Sequence, residues 1–268
     1  MSRGEFHKMH GLGNDFIIID ARETPVILTT ARVKALADRK IGIGCDQLIL
    51  LEPSGVASLR MRIFNQDGGE VESCGNATRC VVALIGHDIN IETAGGMIEG
   101  AYGASSITLQ MPPPKFEWQE IPLAFAMDSA AMPMAWEELA EPMAVNVGNP
   151  HAIFFVDDAE AVDLERLGPI IEHDTAFPER VNVNVASIKN DIVTLRVWER
   201  GAGETRACGT GACATAVAAI RLGKVATPVE IHQAGGTLTI GWEPGGLISM
   251  TGSATYVFKG ELDWDDFG

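Results

Sequence analysis

The amino-acid sequence predicts an α+β fold made of two pseudo-symmetric repeats, each mostly strand and each carrying one buried central helix. Three observations predict it. Two segments half a chain apart match without gaps, and the same offset, to within one residue, recurs upstream. Each matched segment then passes from a strand-like pattern into a run of small and apolar residues too long for a single strand.

The match sets RMRIFNQDGGEVESCG (60–75) over TLRVWERGAGETRACG (194–209). Arg62/Arg196, Gly69/Gly203, Glu70/Glu204, Cys74/Cys208 and Gly75/Gly209 are identical, and Ile63/Val197, Phe64/Trp198, Gly68/Ala202 and Ser73/Ala207 are similar. Upstream, Gly13-Asn14 meets Gly148-Asn149 and Gln47 meets Asn182; downstream, IETAGG (91–96) meets IHQAGG (231–236). Two copies make a pair rather than a solenoid. Positions matched across the repeat are expected to face one another.

In chain order, FIIID, LRMRIF and ITLQM in the first repeat and AIFFV, TLRVW and LTIGW in the second read as strands, rich in β-branched residues and bounded by Gly, Asn and Asp. CGNATRCVVALIG (74–86) and CGTGACATAVAAIRLG (208–223) are apolar on nearly every side and read as buried helices, each with its cysteine at the N-terminus. TTARVKALADRKIG (29–42) and LERLGPIIEH (164–173) read as shorter amphipathic helices. MPPPKFEWQEIP (111–122) holds three consecutive prolines, which end a strand, and is the expected linker between repeats spanning 1–116 and 117–255. The Met- and Ala-rich AFAMDSAAMPMAW (124–136) is expected to be a surface connection.

Composition narrows the function. A chain of 268 residues, 46% hydrophobic and 21% charged, has material for a substantial core. Its formal charge of −16 repels nucleic acid and anionic membrane surfaces, so neither is an expected partner. The N-terminus MSRGEFHKMHGLGNDF has no signal-like apolar stretch, and no apolar run approaches the roughly 20 residues needed to span a bilayer. A cytoplasmic protein is the expectation. Five cysteines without a CxxC pair suit a reducing compartment better than a disulfide framework.

Cys74 and Cys208 carry the chemistry. A helix N-terminus can lower a thiol from its usual pKa near 8.5 into a range of about 3.5 to 7.5, which makes a usable base. The unpaired amides of the same first turn can hold a carboxylate, and glycine after each cysteine allows close approach. Two such termini converging on one carbon would let one sulfur take the α-proton while the other delivers a proton to the opposite face. That is epimerisation by two bases. Neither motif contains a lysine, so neither shows a sign of a pyridoxal Schiff base. Cys208 and Cys213 have a spacing near the zinc range, but no matching Cys/His pair accompanies them, and no metal is expected. Cys45, Cys80 and Cys213 read as buried structural thiols.

With these residues assembled, the chain resembles the diaminopimelate epimerase family over essentially its full length. KMHGLGNDF (8–16), GCDQLIL (44–50), RIFNQDGGEVESCGNATRC (62–80), GNPHA (148–152), RVNVN (180–184) and ERGAGETRACGTGAC (199–213) carry the resemblance together. It implies a curved, barrel-like mixed sheet around a central helix in each repeat, an active site between the repeats, and a C-terminal tail (256–268) that joins the first. It implies conversion of LL-2,6-diaminopimelate, a small-molecule substrate, to the meso isomer on the route to lysine and peptidoglycan precursors, without a cofactor. A homodimer is compatible with it.

Residue by residue, the resemblance makes Cys74 and Cys208 the acid and base and leaves open which starts as thiolate. The amides of Gly75, Asn76, Gly209 and Thr210 would hold the reacting carboxylate, while Asn14, Gln47, Asn65, Asn149 and Asn182 would supply neutral hydrogen-bonding groups. Glu199 would accept from an ammonium group and Arg200 would grip the distal carboxylate. His151 and Glu199 stand where the family tunes the two thiols. As residue types alone, the asparagines are equally turn formers, His151 a loop histidine and Arg200 a surface charge. The repeat itself pairs Asn14 with Asn149, Gln47 with Asn182 and Asn65 with Glu199.

Overall fold

A computed structural model of the chain describes residues 3–267. Its first strands, β1 (Arg3–Gly11) and β2 (Asn14–Asp20), form an antiparallel hairpin. Leu12 and Gly13 take φ values of 55° and 86°, the two left-handed residues that a tight hairpin turn requires, and so Asn14 is set opposite Gly11. α1 (Thr30–Ala37), capped by the Thr29 hydroxyl accepting from Arg32 N, leads to β3 (Gln47–Glu52), which runs parallel to β2. β4 (Leu59–Asn65) is antiparallel to β3, and the short β5 (Glu70–Val71) is antiparallel to β4. α2 (Gly75–Ile85) follows, then β6 (Ile89–Thr93) parallel to β4, β7 (Gly96–Tyr102) antiparallel to β6, and β8 (Ile107–Met111).

The same order of pairings is then repeated. After a small hairpin of β9 (Ala135–Trp136) and β10 (Leu139–Ala140) come β11 (Met143–Asn146) and β12 (Pro150–Phe155), antiparallel. α3 (Leu164–Glu172) leads to β13 (Asn182–Lys189), parallel to β12, followed by antiparallel β14 (Ile192–Glu199) and β15 (Gly203–Thr205). After α4 (Gly209–Arg221), β16 (Val229–Gln233) is parallel to β14, and β17 (Gly236–Trp242) and β18 (Ile248–Gly252) are antiparallel. Registers correspond as well: Phe16 lies opposite Gln47, and His151 opposite Asn182. The fold is α+β with two repeats.

The chain divides into two units, Met1–Leu109 with Gly252–Gly268 and Gln110–Thr251. The second segment of unit 1 contains β19 (Thr255–Asp263), which pairs antiparallel with β1 from Arg3 opposite Asp263. In unit 2, α4 is buried without interruption from Gly211 to Ala219. Its Gly, Ala, Cys and Thr side chains are small enough for strands to approach from all sides, and it touches β11 to β14, β16 and β17. A sheet that meets one helix along so many strands must curl around it. α2 occupies the same place in unit 1, against β1, β2, β7 and β19, and ends where Gly86 adopts a left-handed φ of 81°.

One expectation is corrected. The stretch 124–136 is not merely a surface connection, because Met132 and Trp136 are buried with Ile121, Leu123 and Leu139 against Leu164, Leu167 and Ile171. The segment lacks a helix or strand period, yet it supplies the cover for the α3 side of the unit 2 core. Among the described residues, no helix is long and apolar enough to cross a membrane.

Candidate active site

In unit 1 the first three polar candidates arise from strand ends. Asn14 opens β2, Gln47 opens β3 and Asn65 closes β4, with Gln47 and Asn65 directly opposite in the ladder. Gln47 Nε2 donates to Asn65 Oδ1 at 2.9 Å, while Gln47 Oε1 is buried with no hydrogen-bond partner. Cys74 occupies the N-cap of α2 in extended conformation and is half-buried, and its carbonyl accepts from the backbone and hydroxyl of Thr78. Its sulfur lies 3.7 Å from Asn14 Oδ1, which also accepts from Asn76 Nδ2 at 3.4 Å. Asn14 Nδ2 donates to Asp46, and Asn76 Oδ1 accepts from the fully buried Arg79 at 2.6 Å. Gly75 is the first residue of α2.

In unit 2 Cys208 occupies the matching N-cap of α4 and is 4% exposed. Its sulfur accepts from Gly211 N at 3.3 Å and lies 3.5 Å from the Thr210 hydroxyl, while its own N–H donates to Gln233 Oε1 at 2.8 Å. Gly211 has no room for a side chain: a Cβ would lie 2.9 Å from Val197. The helix N-terminus does not lower this thiol. Burial and then the Glu199 carboxylate push it well above the usual value, outweighing the Thr210 and Gly211 hydrogen bonds. Magnitudes explain the reversal of the expectation. Full burial can shift a group by about 3–5 units, enough to offset what a helix N-terminus supplies. Glu199, at the end of β14, also accepts from Thr205 Oγ1 at 2.5 Å.

Around them, His151 is fully buried, with Nε2 3.0 Å from Asn149 Oδ1 and Nδ1 3.0 Å from Asn184 Oδ1. Asn182 is committed at both ends, donating to the Pro150 carbonyl and accepting from Arg200 N, each within 2.9 Å. The Arg200 side chain is exposed and donates from Nη1 to the Glu179 carbonyl at 2.9 Å. Gly209 opens α4. Cys45 and Cys80 are buried thiols, each pushed up to about 12 by that burial, and Cys213 is buried as well.

In unit 1, Asn14, Cys74 and Asn76 thus form one set of contacts and Gln47 and Asn65 a separate pair; in unit 2, Asn149 and His151 are linked through Asn184 and Gly211 to Cys208, which Thr210 and Glu199 approach. The family model described as diaminopimelate epimerase matches residues 6–116 and 143–257. The chain belongs to the diaminopimelate epimerase family. A diaminopimelate epimerase from Rhizorhabdus wittichii is 62% identical over 98% of this chain and 97% of its own length, and one from Sphingopyxis alaskensis is 61% identical over 98% of each. Membership of this epimerase family makes the protein an isomerase. Solved structures with the same fold include a PhzF-family phenazine biosynthesis protein from Bacillus anthracis (TM-score 0.69, 18% identity, 98% of this chain and 100% of that one). A hydroxyproline epimerase from Agrobacterium vitis with bound trans-4-hydroxy-L-proline has a TM-score of 0.67 at 16% identity, covering 98% of this chain and 91% of that one.

Sequence reasoning missed Asn184, Gln233 and Asp46 in this diaminopimelate epimerase family member. Asn184 was legible in one respect, since it stands two residues after Asn182 and therefore on the same face of β13. Gln233 accepts from Cys208 N–H, and Asp46 accepts from Asn14 Nδ2, Asp15 N–H and Arg39, contacts that no spacing announces.

Proposed function

We propose that the protein epimerises LL-2,6-diaminopimelate to the meso isomer without a cofactor, in the cytoplasm, on the route to lysine and peptidoglycan precursors. The observation that carries the reading is the equivalence of Cys74 and Cys208, each the N-cap of the buried helix of its repeat. One sulfur removes the α-proton and the other donates a proton to the opposite face, inverting the carbon. Amides of Gly75, Asn76, Gly209 and Thr210 would bind the carboxylate, onto which the carbanion charge spreads in the transition state.

Burial and Glu199 keep Cys208 protonated at neutral pH, so Cys208 begins as the acid and Cys74 as the base. Once Cys208 has given up its proton, the Gly211 N–H and Thr210 hydroxyl hold the thiolate, and the Glu199 charge favours its reprotonation. The unpartnered Gln47 Oε1 suits an ammonium N–H, and Asn14, Asn65 and Asn149 would add neutral hydrogen-bonding groups. Arg200 would take the distal carboxylate, and Asn182 would hold the Arg200 backbone for that task.

The test is NMR of LL-diaminopimelate with the protein in D₂O. Deuterium entering the α-carbon as LL and meso forms interconvert is the expected result, lost when Cys74→Ala and Cys208→Ala are combined. Turnover of proline or hydroxyproline with none of diaminopimelate would remove the substrate assignment, and activity retained by the double variant would remove the two-thiol chemistry.

A further inference from the structure

Unit 2 contains a buried polar chain that unit 1 replaces with hydrocarbon. Asn184 donates from Nδ2 to the Gly211 carbonyl and to Thr215 Oγ1, both at 2.9 Å, and its Oδ1 lies 3.0 Å from His151 Nδ1. All three side chains are 0% exposed. By strand register and by position after the cysteine, the counterparts of His151, Asn184 and Thr215 in unit 1 are Phe16, Ile49 and Val81, each equally buried. Apolar groups of similar shape in place of a buried hydrogen-bonded set are commonly neutral or stabilising. The fold therefore does not require these polar groups in unit 2.

Their chemistry is constrained. A carbonyl oxygen only accepts, so Gly211 fixes which end of the Asn184 carboxamide is nitrogen, and Asn184 Oδ1 must face His151. The Nδ1 of His151 must then carry a hydrogen. In a neutral ring Nε2 is a lone pair, and the carboxamide of Asn149 3.0 Å away must turn its NH₂ toward it, since amide oxygen and nitrogen are interchangeable in outline. Gly211 is held on its other side too, because its N–H donates to Cys208 Sγ.

We propose that Asn184 is a positioning residue, which fixes His151 as the neutral Nδ1–H tautomer, thereby orients Asn149, and ties both to the Gly211 turn that holds the Cys208 sulfur. The lock itself stands on geometry; its bearing on turnover rests on the proposed diaminopimelate reaction. Burial favours the neutral ring, and the charged group acting on it, Arg200, does so too.

Imidazole ¹⁵N spectra of the intact protein test the lock directly. The expected result is a single neutral His151 with hydrogen on Nδ1 from about pH 5 to about pH 8. An Nε2–H tautomer, or a charged ring at neutral pH, overturns the proposal. Asn184→Asp keeps an acceptor for Nδ1–H but places a carboxylate beside the ring and loses both amide donors. It is expected to give His151 an ionisation in the neutral range, to add that ionisation to the kcat/KM profile, and to raise KM about tenfold where the ring is charged, the effect of about 1.4 kcal/mol. A folded Asn184→Asp protein with the parent's spectra and pH profile also overturns it. If diaminopimelate is not turned over by the parent protein, the substrate reading fails while the spectra still decide the tautomer.

Discussion

Acid should destabilise this protein more than it destabilises a His151→Phe variant, which copies the residue that the first repeat holds at Phe16. His151 is fully buried, and that burial pushes its pKa down to about 4 from 6.5; the Asn184 hydrogen bond opposes the shift and Arg200 adds to it. Between the two values an unfolded chain binds a proton that the folded one refuses. The stability contribution is thus complete above pH 6.5 and is lost as pH falls through 6.5 toward the folded value. Linkage puts the loss at about 2 kcal/mol by about pH 5 and about 3 kcal/mol by about pH 4. Urea unfolding of both proteins at about pH 7.5 and about pH 5 checks it, since most carboxylates remain ionised over that interval and cancel in the comparison. The variant starts lower because Asn149 and Asn184 lose a partner, so only the change with pH is compared. Parallel losses in the two proteins would refute the reasoning and mean that His151 accepts a proton without unfolding.

Three further outcomes follow from the same structure. Cys74→Ala and Cys208→Ala should each lower turnover by at least about 10²-fold, the scale of one positioned acid or base, and steady-state kinetics with diaminopimelate reads this; a variant within a few-fold of the parent would dismiss that thiol from the reaction. Glu199→Gln removes the charge that, after burial, holds the Cys208 thiol up, so ultraviolet titration should show a thiolate forming at lower pH than in the parent; an unmoved titration would contradict the assigned cause. Gly168→Ala would place a Cβ 2.5 Å from the Trp198 ring, whose Nε1 donates to the buried Glu172, and should cost about 1–3 kcal/mol in urea unfolding; a loss below the measurement error would show that α3 can shift freely.

The repeat was the most legible feature, because a duplicated fold writes the same special residues twice. Glycine after a capping cysteine and the sudden loss of strand alternation marked α2 and α4 at their starts. α1 and α3 were readable from amphipathic spacing, although α1 stops at Ala37, well before Gly42. Burial without periodicity was not readable, which is why Met132 and Trp136 looked like surface residues. The ionisation of Cys208 also lay beyond sequence. Its position at a helix N-terminus argues for a lowered pKa, and only the enclosure of the sulfur and the approach of Glu199 reverse the sign. Asn184 escaped for a related reason: the repeat highlights positions polar in both halves, and the counterpart of Asn184 is Ile49.

The pairing of β1 with β19 has a bearing on how the chain is made. Unit 2 is one uninterrupted stretch, so the ribosome delivers every residue of it before the last strand of unit 1 is synthesised. Unit 1 must wait with β1 lacking its β19 neighbour, an open strand edge from Arg3 to His10 during translation. The charged Arg3, Glu5 and Lys8 along that strand make it a poor template for association with other nascent chains.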